Sequence, residues 1–412
     1  EPTALNQKAI ESLANLALYK AALIEAELEL VNLVDNEQFL DAVPLAERIV
    51  FITEEEFGAS QELAQALNTL GNIENNAGLY DDSSEHFLQS IDIFRDIEGF
   101  YSESAIIPLV GLGIANQEKG NFYDAISIFN EARTLSRRVY GLLNEEQILI
   151  MRYISNVMVE MENYDAADEI QLEAFKLMER VHGVDTIAVL PGIYQHADWL
   201  RRSYRFDEAR ILYSRAIAII EKNEGQNNKG LIKPLVEISN SYRDQKFQEG
   251  RGIGSLKKAL QIAENQDVRD ELILADILIA MGDWYTAFNR IKNTRDEYTQ
   301  AWQILGNLEN AEELRKSRFN DPIYVLRENP TSRGLSEPSD PESESGNVLI
   351  MFDVDRFGRT LNLELIESKP EGLKDASSLR AIARSRFRPR IIDGEIVITE
   401  KVLRNFSFYY KP

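Results

Sequence analysis

Three histidines (His86, His182 and His196) and no cysteine are all the nitrogen and sulfur ligands that this 412-residue sequence offers a soft metal. The histidines sit in widely separated segments, and none shares metal-ligand spacing with another. Without a thiol, disulfides, cysteine-type zinc sites and thiol catalysis are all excluded. Gly250-x-Gly252-x-Gly254 is a fragment of a phosphate-cradling loop that lacks both a preceding strand and the full fingerprint. Glu54-Glu55-Glu56 reads as a solvated helix end, and nothing pairs two carboxylates across a cleft for acid–base work. The sequence names no catalytic residue, metal site or cofactor, and the reading is of a chain that is not an enzyme.

Charge is the next chemistry to place. The net charge is −23, and it is unevenly distributed: Asn347 to Pro412 carries +3 and the preceding residues −26. An acidic body disfavours a nucleic-acid footprint, which needs a basic stripe. It serves solubility first and a basic or neutral partner second. Arg380, Arg384, Arg386, Arg388 and Arg390 cluster near the end of a C-terminal helix. The first reading is of cations facing the helix dipole; the alternative is that they dock on the acidic body or on an acidic partner.

The elements that must carry these groups follow from an internal repeat. A large apolar residue and a small one three positions later recur at Phe39–Ala42, Tyr80–Ser83, Phe122–Ala125, Tyr164–Ala167, Phe206–Ala209, Phe247–Gly250 and Ile291–Thr294. Offsets of 3, 7 and 10 from each anchor trace one helix face, as in Phe129 and Ala132. Nine residues before the anchor several repeats place a small residue after an apolar one, as in Leu70-Gly71, Leu112-Gly113 and Met281-Gly282, which marks a first helix. Gly120-Asn121 and Asn163 suit the turn between the two helices. Gly250, Gly252 and Gly254 are expected to distort the second helix of the sixth repeat.

This pattern resembles the tetratricopeptide repeat, in the longer-helix variety of kinesin light chains. The resemblance implies a mainly α fold, a right-handed superhelix of about seven helix pairs over residues 1–327. Its first helices would form a groove for extended peptides. Carrying the family's groove positions over gives Asn68, Asn72, Asn75 and Asn76 in the second repeat, and Arg152 and Asn156 in the fourth. The fifth contributes Tyr194, Asp198, Arg201 and Arg202, and the sixth Tyr242 and Arg243. Amides pair with a peptide backbone and arginines with carboxylates; the alternative is a solvated polar helix face.

Residues 328–346 are dominated by Pro, Ser, Gly and acidic side chains and read as a flexible linker. Residues 347–412 read as a small α+β domain of antiparallel sheet, in the order strand, strand, helix, strand. Val348–Val354 and Leu361–Ile366 flank the turn Phe357-Gly358-Arg359, Asp375–Arg386 is helical, and Glu395–Tyr410 is one long strand. Phe352-Asp-Val354, Gly358-Arg359, Asn362, Ser368-Lys-Pro370 and Phe387-Arg-Pro389 resemble the TonB C-terminal domain. That family's Gln-Tyr-Pro element has no counterpart beyond Asp321-Pro-Ile-Tyr324. The resemblance implies strand addition to the last strand, at Val397, Thr399, Lys401, Leu403, Asn405 and Phe408.

Together these imply a protein–protein scaffold of the Gram-negative envelope, periplasmic or envelope-associated. Its partners would be proteins or peptide segments, including outer-membrane proteins, with no nucleic acid. Alternatives are a component of a TonB-like energy-transducing system or a structural subunit of a larger assembly. The chain starts at Glu1 without Met or an apolar leader, which reads as a form whose signal peptide was removed. No run of 18 apolar residues exists to span a membrane.

Overall fold

The computed structural model describes residues 23–246, 249–331 and 342–412. The chain divides into two compact units, Glu1–Val184 and Asp185–Pro412. The first holds helices α1 (23–35), α2 (Phe39–Phe57), α3 (Gln61–Ala77), α4 (Tyr80–Glu98), α5 (Ile106–Glu118), α6 (Phe122–Tyr140), α7 (Glu146–Glu160) and α8 (Tyr164–His182). The second continues with α9 (Leu190–Arg202), α10 (Phe206–Glu224), α11 (Ile232–Gln245), α12 (Glu249–Glu264), α13 (Glu271–Ala287), α14 (Ile291–Leu305) and α15 (Ala311–Phe319). A C-terminal α+β domain completes it.

The period seen in the sequence is the helix-pair period. Phe39, Tyr80, Phe122, Tyr164, Phe206 and Ile291 each open the second helix of a pair; the remaining anchor, Phe247, lies outside the described residues. Why the small residue must precede the aromatic is visible in three repeats. A Cβ at Gly71 would touch the Phe87 ring at 3.0 Å, and one at Gly113 or Gly282 would overlap Phe129 or Tyr298. These rings are fully buried. In these three repeats the first helix thus yields the space that the second helix fills, which is how a pair reaches interior density with a single ring.

Two local expectations need correction. The left-handed residue of the inter-helix turn is not Asn163, whose φ is −87°; its side chain instead caps α8 by accepting from the Ala166 amide. The turn residue lies two before the anchor, at Glu37, Gly78, Gly120, Glu162, Tyr204 and Asn289, all at positive φ, and Lys246 serves the sixth turn. Nor do the three glycines distort the sixth repeat: α12 is continuous. Gly252 leaves room for the Trp284 ring of α13, which a Cβ would overlap, while Gly250 and Gly254 face open space.

The C-terminal domain comprises β1 (Tyr324–Leu326), β2 (Glu344–Val354), β3 (Thr360–Lys369), α16 (Asp375–Arg384), β4 (Arg386–Phe387), β5 (Arg390–Ile392), β6 (Glu395–Val397) and β7 (Thr399–Tyr410). Its main sheet is antiparallel in the order β3-β2-β7, with β1 paired to β4 and β5 to β6. Val348, Ile350, Phe352 and Val354 alternate inward from β2 onto Ile382 of α16 and Phe406 of β7. Gly358, at φ 76°, brings the β2–β3 turn against the Phe387 carbonyl, and its own carbonyl accepts from the Phe387 amide at 2.9 Å.

Three boundaries shift. Residues 328–346 are not linker throughout, because Glu344, Ser345 and Gly346 pair with Tyr410, Tyr409 and Phe408. At the other end Glu328 pairs with Lys246 and Asn329 donates to the Tyr204 hydroxyl; residues 332–341 lie outside the described residues. The strand from Glu395 breaks at Ile398, so Val397 belongs to β6 and pairs with Arg390. Tyr324, read as a poor stand-in, lies in β1 with its ring 4.4 Å from Phe387.

Candidate interaction surfaces

In the first unit the predicted groove residues divide by what their amides do. Asn72 donates to the Asn68 carbonyl at 2.9 Å and Asn76 to the Asn72 carbonyl at 2.7 Å, one turn back on α3. This back-bonding satisfies the amides of two of the four asparagines on α3. Asn75 does not belong to the surface. Its Nδ2 donates to the Gly111 carbonyl of α5 at 3.0 Å, and its Oδ1 accepts from Ser83 of α4 at 2.6 Å. It ties three helices together. Arg152 and Asn156 are exposed on α7.

In the second unit the groove residues of α9 and α11 fall into a charged network. Arg201 pairs with Asp244 at 2.7 Å and Glu237 at 3.7 Å; Arg243 reaches Asp244 at 3.5 Å and Asp283 of α13 at 3.9 Å. Burial pushes the Glu237 carboxyl up, against the pull of Arg201. Asp198 accepts from the buried Tyr213 hydroxyl at 2.5 Å. Tyr194, its hydroxyl pushed up to about 12 by burial, lies beneath Lys233 at 4.4 Å. Arg202 is exposed. Tyr242 is turned instead toward α10, where Arg210 stacks on its ring at 4.3 Å, so it packs between helices rather than on the surface.

The network ends on a residue from the C-terminal domain. Arg388 gives Asp283 two hydrogen bonds, from Nε at 2.9 Å and Nη2 at 2.7 Å, and a third to the Arg318 carbonyl at 3.0 Å. Both side chains are about nine-tenths buried. Burial opposes the Asp283 charge, but Arg388, with Arg243 and the Tyr298 hydroxyl, holds the carboxyl below its ordinary value. The docking alternative therefore holds for Arg388, not the dipole reading. Around it, Arg386 reaches Asn289 and Arg390 reaches Asn320. Ile391 and Ile396 enter the apolar cluster of Leu278, Tyr298 and Phe319, so the last repeat and the C-terminal domain share a core.

Five of the six residues named for strand addition lie on β7, at the end of the β3-β2-β7 sheet. Among the described residues β7 pairs with β2 and no other strand. Val402, Phe406 and Phe408 face the core, so Phe408 offers backbone alone; Leu403, Lys401 and Asn405 are exposed and Thr399 is half-buried. Asp353 steadies the far end, accepting from Asn362 at 2.7 Å and from the Lys401 amide at 2.9 Å. His86 pairs with buried Glu74 and His182 with Glu145, and among the described residues no three metal-binding side chains converge. No described helix is long and apolar enough to cross a membrane.

Helix pairs with an aromatic-on-small seam, followed by a β3-β2-β7 sheet, define a class: a tetratricopeptide-repeat chain with a TonB-type C-terminal domain. Residues 62–137 and 103–180 match the family model "Tetratricopeptide repeat", and residues 340–410 match "Gram-negative bacterial TonB protein C-terminal". A clustered mitochondria protein homolog of Candida albicans is 22% identical over 228 residues, 53% of this chain. The chain spans 17% of that relative's length. Solved structures with similar folds include BtubC (BKLC) from P. vanneervenii, at 16% identity, 56% of this chain, 93% of that one and a TM-score of 0.43. A putative kinesin light chain of Podosopora anserina gives 12% identity, 49% of this chain, 95% of that one and a TM-score of 0.40.

Proposed function

We propose that this chain is a non-enzymatic protein–protein scaffold of the Gram-negative envelope, holding partner segments on the first-helix faces of its repeats and along β7. The envelope assignment rests on the TonB-type domain and the interaction role on the repeats. The observation that carries the reading is the edge of β7, a twelve-residue strand that among the described residues is bonded on one side. An unpaired row of backbone donors and acceptors is a template for a partner strand. The exposed side chains of Leu403 and Tyr409, 50% and 40% accessible, would select that strand's residues.

The seating of Arg388 on Asp283 favours a docking platform over the alternative of a TonB-like energy transducer, because the domain is fastened to its own repeats. The test uses the absence of native cysteine. A photocrosslinker on Ser407→Cys should capture a strand-donating envelope protein, and Ser407→Pro should abolish its co-purification with the helical melt unchanged. Undiminished co-purification by the proline variant would overturn the strand-addition reading.

A further inference from the structure

Asp198 and Asp283 occupy the same place in their repeats, eight residues before the anchors Phe206 and Ile291. Tyr213 and Tyr298 likewise stand seven residues after those anchors. The two pairs are built alike: Tyr213 donates to Asp198 Oδ1 at 2.5 Å, and Tyr298 donates to Asp283 Oδ1 at 2.8 Å. Both tyrosines are fully buried. The other described repeats lack the combination; the second has Asn72 with Phe87, the third Ile114 with Phe129, and the fourth Asn156 with Gln171.

In the seventh repeat the pair holds a ligand, the Arg388 guanidinium, in a two-point grip. In the fifth repeat no such group is present among the described residues. The Asp198 carboxylate is half-buried and, among the described residues, accepts from Tyr213 alone. Nearby cations make other contacts: Arg201 with Asp244 and Glu237, Arg243 with Asp244 and Asp283, Lys233 over the Tyr194 ring, and Arg202 with the Asp198 backbone carbonyl at 3.4 Å, not its carboxylate. Glu237 on α11 adds a second carboxylate to the same neighbourhood, and Asp198 contributes to raising its pKa.

We propose that Asp198 and Tyr213 form a receptor for an arginine side chain of a partner segment, working as Asp283 and Tyr298 do for Arg388. The tyrosine hydroxyl fixes one carboxylate oxygen, so the carboxylate presents a planar, pre-oriented acceptor, and a guanidinium matches it with two parallel donors. A lysine, a single-point donor, fits less well. This rests on the reading that the first-helix face binds partner segments and names the chemistry of one subsite. The partner is an extended segment bearing an arginine, a complement to an acidic surface.

The test is an NMR titration of the full chain with the peptide acetyl-Gly-Phe-Arg-Pro-Gly-amide and its citrulline counterpart, which keeps the shape and removes the charge. The arginine peptide should perturb α9 and α10 resonances saturably, the citrulline peptide at least tenfold more weakly. Asp198→Asn should weaken arginine-peptide binding roughly tenfold and Tyr213→Phe severalfold, each with an unchanged melting profile, while Asp283→Asn leaves the α9 response intact. Should Asp198→Asn fail to fold, Tyr213→Phe carries the test. Equal binding of both peptides, or an unaffected Asp198→Asn titration, overturns the receptor. Asn72→Ala with Arg152→Ala separates the two readings. If that variant loses an envelope partner which Asp198→Asn keeps, the groove reading stands and the arginine receptor falls.

Discussion

Arg388 and Asp283, 105 residues apart in the chain, meet through two hydrogen bonds at 2.9 and 2.7 Å in a site that excludes most water. The contact fastens the C-terminal domain to α13. Removing one partner leaves the other charge buried and alone. Arg388→Ala should therefore lower unfolding free energy by about 3–5 kcal/mol, measured by denaturant titration of the second unit's transition. The double change Arg388→Met with Asp283→Leu should recover much of that loss, since apolar replacements of buried pairs are often neutral.

The same pair sets an acid limit. The Asp283 carboxyl is held below its ordinary value of 3.8, so its stabilisation is present above that value and lost as pH falls through the lower folded-state one. Asp283→Asn should flatten this acid limb of the stability curve, while its absolute stability falls at neutral pH.

His86 gives the opposite sign. Its hydrogen bond to Glu74 raises its pKa above 6.5 against the cost of burial, with the charges of Glu74, Glu85 and Asp82 adding to the rise. The contribution is complete below 6.5 and disappears as pH climbs through the raised folded-state value. Urea midpoints of wild type and His86→Gln, compared from pH 5.5 to 8, should converge as pH rises.

Glycines of the sixth repeat predict contrasting outcomes. Gly254→Ala meets nothing within 4 Å on a continuous helix and should stabilise by about 0.4–1 kcal/mol. Gly252→Ala drives a methyl into Trp284 and should cost about 1–3 kcal/mol. Thermal melts of the two variants, with Trp284 fluorescence as reporter, check both.

The asparagines of α3 separate in the same manner. Asn75→Ala removes the two hydrogen bonds that join α3 to Ser83 of α4 and to Gly111 of α5, at a cost of about 0.5–1.5 kcal/mol each. Asn76→Ala, on an exposed site, should be neutral to stabilising by about half a kcal/mol through helix propensity. Denaturation midpoints of the two single variants distinguish the fastening amide from the surface one.

The repeat was legible because Gly113 with Phe129, and its equivalents, must recur wherever one helix nests on another. The sequence carries a second periodic signal: Gly58, Gly99, Gly141, Gly183 and Gly225, all at positive φ, end the second helices at the same interval. The turn at Glu162 or Tyr204 was hidden because tertiary packing forces a left-handed backbone on residues with no preference for it. Arg388 stands out as a charge, but its partner is 105 residues away on a helix that the repeat marks only by Met281-Gly282. Asn75 and Tyr242 shared the spacing of surface positions, and only the neighbouring helices α5 and α10 decide which way such side chains turn.

Segment β1, three residues long, has a consequence for how the chain is cut. The family match begins at residue 340, whereas Tyr324 lies upstream of it and pairs with Phe387 inside the matched segment. Ile391 and Ile396 are likewise covered by α13, α14 and α15. The unit that is inherited and the unit that folds are thus different lengths of chain. A fragment started at the family boundary would carry two uncovered isoleucines, an uncompensated Arg388 and a strand without its mate.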